Sequence, residues 1–246
     1  MSSTPRIFAS LRRTPMLVVG ALAIAWGVTS SFGIPGLSTG AGVVTGVVQG
    51  LLWTLIAALV ATRLLRTRTQ SGRGPDAAAL VATLGGAMIF GPGLYTALTY
   101  LTPEAYLGLM LSEDPGAAYI YFMVMNPMME WLIVPIAVLL NWNWPRRRAA
   151  AISGAVVYFA VRTWTAFYFA PVAMGWSASA GSAPTQAQLD QAQQWLTLDW
   201  PRIVLDLVVC LAFASVLLMR RIGPVRRENA AAATQRGHLA GSVTAR

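Results

Sequence analysis

Six stretches of this chain are apolar and long enough to cross a bilayer core about 30 Å thick, which takes roughly 20 helical residues. They cover residues 16–34, 41–62, 77–101, 117–140, 149–171 and 199–219. In hydrocarbon, backbone N–H and C=O groups must find partners within the protein, which restricts a spanning segment of this length to a helix. The fold class that follows is all-α: a polytopic membrane helix bundle with six transmembrane helices. Composition agrees, since 11% of the 246 residues are charged, against about a quarter in soluble domains. Mean hydropathy is +0.57. Arg6, Arg12 and Arg13 precede the first stretch as they would a secretory signal. Its apolar run is longer than a signal core and no small-residue cleavage site follows cleanly, so it reads as a retained helix.

All 18 basic residues are arginine, against 9 acidic residues, for a net charge of +9. The absence of lysine reads as the bias of a GC-rich bacterial genome. Position explains the charge better than any polyanionic partner does. Arg6, Arg12 and Arg13 lead in; Arg63, Arg66, Arg68 and Arg73 fill the second connection; Arg146, Arg147 and Arg148 fill the fourth; Arg220, Arg221, Arg226 and Arg227 follow the last span. The intervening connections hold Glu104, Glu113, Asp114 and Asp190 instead. This alternation predicts that the N and C termini are both cytoplasmic, in a multi-pass protein of the bacterial plasma membrane. It supplies a weak attraction to anionic membrane lipid and leaves no role for nucleic acid. The chain divides into a cytoplasmic segment (1–15), a transmembrane hairpin with its cytoplasmic loop (16–75), a four-helix membrane bundle (76–222) and a tail (223–246) expected to be disordered. Trp142, Trp144, Trp195 and Trp200 fall where interfacial anchors are expected.

Gly42, Gly46 and Gly50 clear one face of the second span, so that another backbone can approach closely. That partner is either the first span or a second copy of the chain, the latter making a homo-oligomer. The first two spans carry no charge and read as scaffold. Ionisable groups at membrane depth are Glu130, Arg162, Arg202 and Asp206, each costing at least ~2.5–3.5 kcal/mol unless paired or hydrated. At 1.5 Å per residue, Asp206 lies ~10 Å below Asp199 and Arg162 ~14 Å below Pro171, which predicts an Arg162–Asp206 pair; Glu130 is deeper, ~20 Å from Ala117. Asn126 shares the face of Glu130, while Tyr158 and Thr165 flank Arg162 at helical spacing. Met123, Met125, Met128 and Met129 surround Asn126 as adaptable packing.

Cys210 is the only cysteine and His238, in the tail, the only histidine. This excludes an intrachain disulfide, a CxxC redox pair, cysteine-held iron–sulfur clusters and bis-histidine haem. No metal site and no cofactor are expected. Without a histidine to activate it, Cys210 reads as a small buried apolar residue.

Several segments together carry a resemblance: Gly91-Pro92-Gly93 to Leu109, Tyr121 through Asn126-Pro127, Trp164 to Met174, and Trp195-x3-Asp199-x2-Arg202. They resemble the anthrone-oxygenase-like family of small four-helix membrane proteins, over roughly residues 90–219. Trp195 and Arg202 match the motif that opens that family's last helix, with Asp199 in place of its usual Asn, and Asn126 falls at its second-helix Asn. The resemblance implies a four-helix bundle with a polar pocket and cofactor-free oxygenation of a lipophilic aromatic. Glu130 or Asp206 is then the candidate base, and Arg162 or Arg202 the candidate stabiliser of the resulting anion. Asn126, Tyr158, Thr165, Trp195 and Asp199 are the candidate ligand-binding residues. The alternative is a non-enzymatic protein, transporter-like or an accessory subunit, whose buried charges hold its helices together.

Overall fold

Five prolines (Pro92, Pro127, Pro135, Pro171 and Pro201) lie inside the apolar stretches, and two of them show how the chain bends its helices. A proline cannot donate to the carbonyl four residues back, and its ring crowds that carbonyl. In a computed structural model of the protein, Pro135 and Pro171 each follow one widened π turn, Met129–Ile133 and Thr165–Phe169. Each turn is centred on the residue four before its proline. The N–H of Val134 reaches the carbonyl of Met129, and that of Ala170 reaches Thr165, so the ladder is carried past the proline by longer loops. Pro92 and Pro201 lie within helices that remain α-helical.

The structure describes residues 13–31, 38–67, 74–111, 121, 124–179 and 181–219. Its helices are α1 (Arg13–Ser31), α2 (Thr39–Thr67), α3 (Gly74–Thr99), α4 (Pro103–Met110), α5 (Val124–Asn141), α6 (Pro145–Trp176) and α7 (Gln186–Leu218). Five of them (α2, α3, α5, α6 and α7) are long and apolar enough to cross a membrane. The apolar part of α1, Thr14–Ser30, is shorter. Among the described residues there is no strand. The predicted tail and His238 lie outside the described residues, as do Glu113, Asp114 and Met123.

Two boundaries differ from expectation for local reasons. Residue 199 does not begin α7, because Thr185 and Gln188 form a capping box 14 residues earlier. The 33-residue helix is therefore about 50 Å long, longer than a bilayer core, and its first turns are polar. Between α3 and α5, Thr102 caps α4 by accepting from the N–H of Ala105, with Pro103 in the first turn, where its missing donor costs nothing.

Helix packing follows the small residues. Gly46 faces Gly27 so closely that a Cβ on Gly46 would stand 2.4 Å from the Gly27 carbonyl, and Gly50 meets the backbone of Ala23 and Ile24. Within the chain, this glycine face is occupied by α1. Gly86 rests on Cys210, joining α3 to α7, and Gly154 rests on Ala212 and Phe213, joining α6 to α7. The central core draws on α1, α2, α3, α5, α6 and α7, around Trp26, Met129, Trp131, Tyr158 and Phe213. A second cluster of Tyr106, Leu107, Phe169, Trp176 and Trp195 packs α4 against the late turns of α6 and the early turns of α7. Gly181, at φ 79°, takes the left-handed turn that brings its N–H to the carbonyl of Leu111 beside this cluster.

Candidate functional site

Glu130 sits in the π turn of α5 and is 5% exposed. Its Oε1 accepts from Nε of Arg162 on α6 at 3.0 Å, and its Oε2 accepts from the indole Nε1 of Trp26 on α1 at 2.9 Å. One carboxylate thus ties three helices, with both oxygens engaged. A charge-assisted hydrogen bond is about twice as strong as a neutral one, and here its alternative is a bare charge in an apolar interior.

This overturns the expected Arg162–Asp206 pair. The error lies in the outer end of α6, which runs to Trp176 and not to Pro171. Arg162 is therefore ~21 Å below the end of its helix, level with Glu130. Asp206, at 4% exposure, makes no hydrogen bond or ion pair among the described residues, although Arg202 and Arg162 both lie within electrostatic reach. Arg202 is engaged one turn up its own helix, where its Nε donates to Oδ1 of Asp199 at 2.6 Å. The guanidinium also stands 5.0 Å over the ring of Phe169, a cation–π contact.

The layer therefore holds three carboxylates against two guanidinium groups, and both guanidinium groups are bonded elsewhere. Asp206 is the carboxylate left over. Three of the expected ligand residues hold buried polar atoms without partners: the Tyr158 hydroxyl, Oδ1 of Asn126 and the indole Nε1 of Trp195. Tyr158 lies within electrostatic reach of Glu130, Arg162 and Asp206, which joins it to the same layer. Buried polar atoms without partners are rare in native proteins, and each calls for a water, an ion or a ligand.

Thr165 and Asp199 are already engaged. The Thr165 hydroxyl donates to the carbonyl of its own helix at Val161. Asp199 serves Arg202. Trp195 is buried, 4.6 Å from Phe169 and 5.0 Å from Trp176 between ring centroids, so the interfacial anchor expected there is a core residue. Trp200, by contrast, is exposed. Tyr106 completes the aromatic cluster, where burial and the nearby Asp199 carboxylate push its hydroxyl well above the usual tyrosine range. Cys210 is half-buried, its thiol 3.6 Å from the Thr83 carbonyl.

Sequence reasoning missed two participants. Trp26 lies in a span read as scaffold because it carries no charge, yet a tryptophan at depth still needs a partner for its N–H. Arg147, read only as a topology signal, is 1% exposed and bonds Asp76 at 2.6 Å. Beside it, Asn141 donates to the carbonyls of Pro75 and Ala137. Among the described residues no group of acidic, histidine and cysteine side chains could hold a metal ion. No protein family model, no curated protein and no solved structure matches this chain.

Proposed function

We propose that this multi-pass membrane protein binds a small lipophilic molecule through a hydrogen-bond donor presented to Asp206. The observation that carries this reading is the surplus carboxylate: buried, unbonded, and beside two arginines that already serve Glu130 and Asp199. A ligand hydroxyl would satisfy Asp206, and a ligand carbonyl would accept from Tyr158. The resemblance to the anthrone-oxygenase-like family extends the reading to cofactor-free oxygenation. Asp206 would then take a proton from an activated C–H of an aromatic, and the arginine pairs would stabilise the carbanion. The carbanion would add to dioxygen, giving a peroxide that takes the proton back from Asp206 and loses water to leave a ketone. Glu130, committed to two donors, is the poorer base. Alternating arginine supports six crossings of a bacterial plasma membrane with both termini cytoplasmic.

Mass spectrometry of organic extracts from the purified protein tests the binding. A small lipophilic compound should accompany the wild type and fall at least tenfold in Asp206→Asn and Tyr158→Phe, while Asp76→Asn retains it. Equal amounts in all four proteins, or none in the wild type, would overturn the reading. A second reading, in which the charges only fasten the bundle, is favoured by the complete engagement of Glu130 across three helices. It predicts no such compound.

A further inference from the structure

Asp206 lacks a counter-charge as well as a donor. Among the described residues its layer holds Glu130, Asp199 and Asp206 against Arg162 and Arg202, which leaves one negative charge when all five are ionised. The groups around Asp206 do not supply what is missing. Arg162 and Tyr158 reach it from α6, and Arg202 and Asp199 from its own helix. Cys210 lies one turn further along α7, with its thiol turned to the Thr83 carbonyl of α3. The titratable residues of α3 itself are elsewhere: Asp76 in its first turn, bonded to Arg147, and Tyr95, which is exposed. Rearrangement does not help. Turning Arg162 to Asp206 takes the counter-charge from Glu130, and turning Arg202 takes it from Asp199, so one carboxylate is always left over.

That charge distinguishes between ligands. A neutral hydroxyl bonded to Asp206 satisfies its lone pairs and leaves the charge in place, in a setting where an uncompensated ion is costly. A cation meets both needs. An ammonium brings several N–H donors: Asp206 accepts one, and the unpartnered Tyr158 hydroxyl has an oxygen able to accept another. The charge at the α4 end of the bundle points the same way. No basic residue occurs between residues 74 and 145 or between 163 and 201. Among the described residues, the exposed charges at that end are Glu104 and Asp190, both acidic, so a cation approaching there meets no like charge at the surface. We propose that the ligand of Asp206 is a lipophilic monocation whose ammonium N–H is presented to the carboxylate. This rests on the binding function proposed above and assigns the charge of what is bound.

Calorimetric titration of the full chain in an uncharged detergent at neutral pH tests this with three probes of similar shape. They are phenethylamine, which is an ammonium at that pH, phenethyl alcohol, and 3-phenylpropionate. The wild type should bind the ammonium at least about tenfold more tightly than the alcohol, since its hydrogen bond to the carboxylate is charge-assisted on both sides. The 3-phenylpropionate anion should not bind. This comparison decides the matter on the wild type, whatever a variant does to folding. Asp206→Asn should erase the preference, while Asp206→Glu, which keeps the charge, should keep it. Asp190→Asn, which removes an exposed acid, should change nothing. Equal binding of ammonium and alcohol by the wild type, no binding of the ammonium, or a preference that survives in Asp206→Asn would each overturn the proposal. Equal binding that is lost for both probes in Asp206→Asn would strike only the charge of the ligand and leave the proposed binding function standing.

Discussion

At the scale of single residues, the decisive fact is that Glu130 has two donors and Asp206 has none. Removing one donor from a buried carboxylate costs more than the neutral hydrogen bond it resembles, about 1.5–3 kcal/mol. Trp26→Phe keeps the ring that packs 6.2 Å from Phe159 and deletes only the N–H. It should lower stability by about that amount in detergent unfolding. Trp53→Phe, where the indole stacks on Trp131 at 6.1 Å, should cost less. Equal losses would show that the indole bond contributes little. The charges themselves were legible in the sequence, because ionisable groups are rare at membrane depth. Their partners were not, because pairing depends on helix ends that hydropathy locates only to within about a turn. An end five residues too early at Pro171 was enough to assign Arg162 to Asp206. Trp26 was hidden because hydropathy counts a tryptophan as apolar and ignores its donor.

Elements were legible where one signal dominated. The Gly42, Gly46 and Gly50 spacing predicted a close backbone approach, and α1 supplies it. Replacing Gly46 by Ala places a Cβ against the Gly27 carbonyl, so the two helices must separate. A loss of about 1–3 kcal/mol is expected from such overpacking, read as a lower unfolding midpoint in detergent. Gly40→Ala, nearly two turns before the Gly46 contact and with open space around it, should leave the midpoint unchanged. If the two variants melt alike, the glycine face does not carry the α1–α2 contact. The π turns were only half legible. Pro127 and Pro135 signal a bend in the fourth span, but whether a helix kinks, widens or stays regular at a proline is decided by its neighbours. Pro92 and Pro201 remain in α-helices. The 13 residues of α7 before Asp199 were missed because they are polar, and a hydropathy window ends where a capped helix continues.

At the scale of the whole molecule, the bundle is fastened at two levels by charge. Arg147 and Asp76 bring the start of α6 to the start of α3, while Trp26, Glu130 and Arg162 join α1, α5 and α6 deeper in the bundle. Between the second level and the Asp199–Arg202 pair of α7 lies the unbonded Asp206, on which the proposed binding function rests. The helical membrane class was evident from apolar run length alone, since hydrocarbon admits so few backbone structures. The wiring between helices was not, since it is set by a few side chains whose levels and rotations the apolar pattern leaves open. Two double-mutant cycles, measured by unfolding in one detergent, test that wiring directly. Glu130→Gln with Arg162→Gln should show a coupling on the order of 0.5–3 kcal/mol, because either change alone strands a buried partner. Asp206→Asn with Arg162→Gln should be closer to additive. Additive losses in the first cycle, with the coupling found in the second, would contradict the assignment of Glu130 as the tie and Asp206 as the free carboxylate.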